Sequence, residues 1–212
     1  MTRVIAGAAG GRRLAVPRGT ATRPTSDRAR EGLFASVLSE IGSLDGKRVM
    51  DLFAGSGAVG LEALSRGAKH VLLVESDTRA AAVIKANVAA VGMAGAIVVT
   101  DRAERLLAQP PPGPPGLPGA PGRYDLVFAD PPYAATAAAV TRVLTLLADG
   151  WLADEALVVV ERATRSGPLD WPPGYGPGKS RRYGEATFWY GWHDGVVAGQ
   201  PPAAAPRPEH EE

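Results

Sequence analysis

The chain has no cysteine among its 212 residues, which excludes disulfides, thiolate zinc sites and a cysteine nucleophile. Histidine is almost as scarce: His70, His193 and His210 lie far apart, so no histidine-built metal centre is expected. Long apolar runs are missing too. None approaches the roughly 18 residues of a membrane span, and Met1-Thr2-Arg3-Val4-Ile5 lacks the apolar core of a secretory signal. No heptad pattern appears. These absences lead to the expectation of a cytoplasmic, metal-free protein, monomeric by default, with no membrane partner.

What is present is unevenly charged. The formal net charge is only +1, yet residues 1–31 carry seven arginines against Asp27 and Glu31, a local balance of +5. A basic head on a near-neutral body suits a polyanionic partner. The same arginines could equally form a solvated surface, or brace a helix by pairing with Asp27 or Glu31.

Three regions follow from the pattern along the chain. In residues 1–42, a small hairpin (Val4 to Ala6 and Arg12 to Val16, turning at Gly10-Gly11) leads through a basic loop to a helix capped by Thr25 or Ser26. Leu33, Phe34, Val37, Leu38 and Ile41 give that helix one apolar stripe, and Gly42 ends it. Residues 43–193 alternate strands (49–53, 71–74, 96–99, 124–129, 156–160) with helices (59–66, 78–91, 102–107, 136–147). That alternation predicts an α/β fold: a doubly wound, mostly parallel sheet of Rossmann type, closed by an antiparallel hairpin over 179–183 and 187–192. Pro110 to Gly122 is Pro or Gly at eleven of thirteen positions and reads as a surface linker. The tail, 194–212, has no periodicity and reads as disordered.

Two motifs fall where strands end, the edge at which open α/β sheets bind ligands. The first, Asp51 to Gly60, joins the first strand of the sheet to its helix and contains Gly55, Ser56, Gly57 and Gly60 in a G-x-G-x-x-G arrangement. Glu75, twenty positions after Gly55, can accept both hydroxyls of a ribose. Alone, this loop permits a dinucleotide. Asp51 argues otherwise, because a carboxylate opposes a pyrophosphate and favours the sulfonium and ammonium groups of S-adenosylmethionine (SAM). Phe53 sits in the same loop, and Asp101, Arg102 and Ala103 after the third strand offer an acceptor for an adenine amine and a small side chain to pack on its ring.

The second motif is Asp130-Pro131-Pro132-Tyr133, after the fourth strand. Asp130 offers carboxylate acceptors, the prolines fix φ and leave the Pro131 carbonyl to accept, and Tyr133 adds a flat face. Such a set suits a planar base with an exocyclic amine. Glu161, at the end of the fifth strand, could be a site residue or a charge at the sheet edge, and the edge is the favoured reading.

The order of these motifs resembles class I SAM-dependent amino-methyltransferases. Arg3 to Gly7, Arg23 to Glu31, Asp51 to Ala68 and Asp130 to Tyr133 together resemble the RsmD family of bacterial 16S ribosomal RNA guanine-N2 methyltransferases, over residues 3–192. The Pro/Gly interval and the tail are extra. The resemblance implies SAM as cofactor, 16S rRNA within a small-subunit particle as partner, and methyl transfer to the N2 amine of one guanine. In that scheme Asp130, Pro131, Pro132 and Tyr133 form the catalytic set. Asp51, Phe53, Gly55, Ser56, Gly57, Gly60, Glu75, Asp101, Arg102 and Ala103 hold the cofactor, and Arg12, Arg13, Arg18, Arg23, Arg28 and Arg30 hold RNA phosphates. Competing readings are an amino-methyltransferase for DNA adenine or cytosine or for a protein glutamine, an NAD-dependent oxidoreductase, and a non-catalytic RNA-binding assembly factor.

Overall fold

A computed structural model of the chain describes residues 2–17, 26–111 and 122–194. Arg18 and Arg23, most of the Pro/Gly interval and the tail from residue 195 lie outside the described residues. Two short strands, β1 (Thr2–Arg3) and β2 (Arg13–Leu14), pair antiparallel and precede helix α1 (Asp27–Ile41). The Ser26 hydroxyl caps α1 by accepting from the Ala29 N–H, Asp27 lies in its first turn, and Gly42 ends it at a φ of 74°.

The sheet then builds in alternation: β3 (Arg48–Leu52), α2 (Ala58–Ser65), β4 (His70–Glu75), α3 (Thr78–Val91), β5 (Ala96–Thr100), α4 (Ala103–Leu107), β6 (Tyr124–Ala129), α5 (Ala137–Ala148) and β7 (Leu152–Ala163). A 3-10 turn (Thr164–Ser166) leads to β8 (Tyr175–Tyr183) and β9 (Ala186–His193). The strand order is β5-β4-β3-β6-β7-β9-β8, parallel from β5 to β7 and antiparallel beyond. β3 and β6 are adjacent, with chain order reversing between them, so their C-terminal ends open the crevice where ligands of such sheets bind.

The central strands are apolar on both sides because both faces are covered. On one face Met50, Leu52, Val127, Val158 and Val160 pack against Val140, Leu144 and Leu147 of α5. On the other, Val49, Val71, Leu126 and Leu157 meet Leu33, Phe34 and Val37 of α1, with the Phe34 and Phe128 rings 5.5 Å apart.

The sheet departs from expectation at two strands. β7 begins at Leu152 rather than near Ala156, because Glu155 takes a φ of 58° and the pairing with β6 slips between Tyr124 and Leu126. This bulge lets one strand carry a kink that periodicity reads as a break. β8 begins at Tyr175, before Gly176-Pro177-Gly178, which the sequence reading leaves in a loop. As the edge strand it tolerates a missing N–H and a register shift between Pro177 and Ser180. The first strand of the N-terminal hairpin, Thr2–Arg3, lies before the expected Val4 to Ala6, and the second shrinks to Arg13–Leu14, although Val4 still donates to the Arg12 carbonyl at 2.9 Å.

Candidate active site

The glycine loop forms as its spacing requires. After β3, Phe53 adopts a φ of 62°, which costs energy for any residue with a Cβ, and Gly55 and Gly57 follow at 58° and 77°. Gly57 is the N-cap of α2. Gly60 brings the helix onto the sheet: a Cβ there would lie 2.8 Å from Leu73 Cδ2 and 2.9 Å from Val71 Cγ1. Its N–H donates to Asp51 Oδ2 at 2.8 Å. Glu75 folds back under the loop, accepting from the Gly55 N–H at 2.9 Å and the Asp77 N–H at 2.8 Å. The two residues meant to hold a cofactor thus also shape the turn that would receive it.

Two cavities adjoin along the strand ends. One, of about 270 Å³, runs from Gly55, Ser56 and Glu75 to Asp130 and Glu161. The other, of about 330 Å³, is lined by Asp101, Arg102 and Ala103 together with Pro131. Phe53, Ser76, Ala129 and Pro132 border both, so every cofactor and base candidate but Gly57, Gly60 and Tyr133 lines one or the other. Tyr133 is 59% exposed and borders a shallow recess shared with Asp130 and Glu161.

The electrostatics are strongly biased. Among the described residues, five carboxylates, Asp51, Glu75, Asp77, Asp130 and Glu161, face the first cavity against a single arginine, Arg30. Burial pushes the Asp51 carboxyl up to about 7, with the nearby Glu75 adding to the rise and the Gly60 N–H opposing it. Asp130 faces the cavity at its mouth; desolvation first, then Glu161 and Asp51, hold its carboxyl well above the usual range. Asp101 goes the other way, held low by the Arg105 side chain bonded to it at 2.6 Å. A pyrophosphate would meet repulsion in the first cavity, whereas a sulfonium and an ammonium group would be attracted. The residues present therefore fit SAM and not a dinucleotide.

The arginines divide. Arg13 and Arg28 are exposed. Arg12, also exposed, donates through Nη1 to the Ala90 and Val91 carbonyls at 2.9 and 2.6 Å, capping α3. Arg30 corrects the expectation of a phosphate ligand: it is 1% exposed, bonded to Thr2, to the Arg3 carbonyl and to Asp27, and 4.0 Å from Glu62. It falls on the apolar stripe with Leu33, Phe34 and Val37, which is the signal that placed it inside. Glu161 is a second correction. It stands not at an outer edge but beside Asp130, because Ala129 and Val160, the residues before them, are paired on adjacent parallel strands.

Two polar residues escaped sequence reading. Glu62, fully buried on α2, accepts from Ile5 N–H at 2.6 Å, Ala6 N–H at 3.0 Å and Arg66 Nε at 2.7 Å. Asn87, buried on α3, accepts from Ala15 N–H and donates to the carbonyls of Ala15 and of Ser56 in the glycine loop. Each interrupts an otherwise apolar helix face, a pattern that marks a satisfied buried polar group. Together they bind the basic hairpin to the cofactor loop.

The family profile described as "Conserved hypothetical protein 95" matches residues 2–192. Ribosomal RNA small subunit methyltransferase D of Escherichia coli K12 is 40% identical over 174 residues, covering 80% of each chain. The chain belongs to the RsmD family. A solved hypothetical protein of Thermus thermophilus is 33% identical with a TM-score of 0.69, covering 90% of this chain and 98% of its own. Magnesium protoporphyrin IX methyltransferase of Synechocystis, solved with bound SAM, shares the fold alone, at 15% identity and a TM-score of 0.57 over 78% of each chain. The RsmD match takes in the hairpin, α1 and the whole sheet, so the arginine-bearing head belongs to the matched region and the tail does not.

Proposed function

We propose that this RsmD chain transfers a methyl group from SAM to the exocyclic N2 amine of one guanine in 16S rRNA, acting in the cytoplasm as a monomer on a small-subunit particle. The observation that carries the reading is the carboxylate-lined cavity that joins the glycine loop to Asp130-Pro131-Pro132-Tyr133.

SAM supplies an electrophilic methyl group on a sulfonium. The residues of this chain bind, align and shield. Glu75 would accept from ribose hydroxyls, Asp101 would accept from the adenine amine with Ala103 beside the ring, and Asp51 would lie toward the ammonium group. Phe53, Ser56 and Arg102 complete the walls. Asp130 and the Pro131 carbonyl accept the two hydrogens of the guanine amine, turning its lone pair out of conjugation and into line. As a carboxylate, Asp130 offers acceptors to an amine that becomes acidic as it is alkylated. Tyr133, exposed at the mouth, stacks on the base after it leaves its helix or loop. Arg13 and Arg28, with Arg18 and Arg23, hold RNA phosphates, and residues 1–42 serve as an RNA-binding extension of the methyltransferase domain.

Replacing Asp130 with alanine tests this arrangement. Turnover on small subunits should vanish while SAM affinity stays within about threefold of wild type. Lost SAM binding, or retained methylation, would contradict the assigned role. A thermal shift with NADH but none with SAM would reject the cofactor itself.

A further inference from the structure

We infer that Glu161 accepts the N1–H of the target guanine beside Asp130 and thereby selects guanine over adenine and cytosine. The inference rests on the guanine-N2 reading and adds the residue that sets base choice.

The placement comes from the sheet. β6 and β7 are neighbouring parallel strands, and the pairing of Ala129 with Val160 puts Asp130 and Glu161 side by side at their C-terminal ends. Strands in such a sheet lie about 4.8 Å apart. Both carboxylates line the 270 Å³ cavity, and both border the recess that holds Pro131, Pro132 and Tyr133. Glu161, like Asp130, also acts electrostatically on Tyr133. Arg162 lines the same recess, and Arg165 influences Tyr133.

Two adjacent carboxylates repel, and Glu161 adds to the rise that desolvation already imposes on Asp130. A structural role at a strand end would be filled more cheaply by a neutral side chain. The pair becomes favourable when a ligand offers two neighbouring N–H donors, and amino bases differ on this point. Beside the N2 amine of guanine lies N1–H, a donor. Beside the amines of adenine and cytosine lies a bare ring nitrogen, an acceptor, which a carboxylate repels. A carboxylate has about four acceptor sites, so Glu161 can take N1–H while keeping another partner. A site built to accept a particular N–H discriminates strongly against bases that lack it.

The test uses the full chain and small subunits whose target guanine, once located, is replaced by 2-aminopurine. That base keeps the 2-amino group but carries an acceptor at N1. Wild-type enzyme should prefer guanine by about 100-fold or more in kcat/KM. Glu161→Gln presents an amide that can donate to N1 and should narrow the preference at least ~10-fold. Glu161→Asp keeps the acceptor and should retain the guanine preference at lower turnover. Unchanged discrimination in Glu161→Gln, or equal discrimination in the Gln and Asp variants, would overturn the assignment. Nucleoside analysis of the wild-type product separates this from the parent reading: without N2-methylguanosine both fail, and with it only the role of Glu161 is at stake.

Discussion

Asp51→Asn should make the ligand-free protein more stable at pH 8 and less able to bind SAM. Asp51 is 4% exposed, and its carboxyl is raised from 3.8 to about 7, chiefly by burial. Because the folded value exceeds the unfolded one, the native state holds a proton that the unfolded chain has released between those limits. The stability this contributes is complete below about pH 4 and is lost as pH rises through about 7. At 1.36 kcal/mol per pH unit, the loss over that window is ~4 kcal/mol. Asparagine keeps an oxygen to accept from the Gly60 N–H and removes the titration. Urea unfolding from pH 4 to pH 8 should therefore show wild type losing stability relative to Asp51→Asn, with a difference of several kcal/mol by pH 8. Asp130 adds in the same direction, because Asp51 contributes to its rise and removing that charge relaxes it. Parallel pH profiles would refute the account of Asp51 as a carboxylate buried at a cost. A more stable variant with unchanged SAM affinity would refute its role toward the ammonium group.

Glu62→Ala should destabilise the chain by about 3–5 kcal/mol in urea unfolding, because it leaves Arg66, Arg30 and the Ile5 and Ala6 N–H groups without their buried acceptor. A loss below about 1 kcal/mol would show that Glu62 is not the anchor of the hairpin. Arg28→Ala should leave stability within about 0.5 kcal/mol and reduce the salt slope of RNA affinity by about 1. Arg30→Ala should instead cost roughly 3 kcal/mol or more in stability while leaving that slope unchanged in folded protein. The reverse pattern would return Arg30 to the RNA surface.

The alternation of strands and helices was legible because each element carries its own period, and most boundaries fall within one or two residues of the sequence reading. Two local features obscured the sheet: the positive φ of Glu155 hides the first residues of β7, and Gly176-Pro177-Gly178 resembles a loop until the edge position of β8 is known. That most candidate site residues would line cavities at the strand ends was legible for a topological reason: ligand sites of parallel sheets lie there. The converse error came from reading charge by density. Arg30 counts toward a basic head, yet its helical position with Leu33 and Phe34 puts it inside. Glu161 could be placed at a strand end but not beside Asp130, which lies 31 residues away and is brought to it only by the β6–β7 register.

The most direct test of the proposed activity is labelled methyl transfer from SAM to small ribosomal subunits from cells lacking the gene, followed by nucleoside analysis of the recovered RNA. The account predicts label in 16S rRNA as N2-methylguanosine at a single position. Label in another nucleoside, or none despite measurable SAM binding, would contradict it.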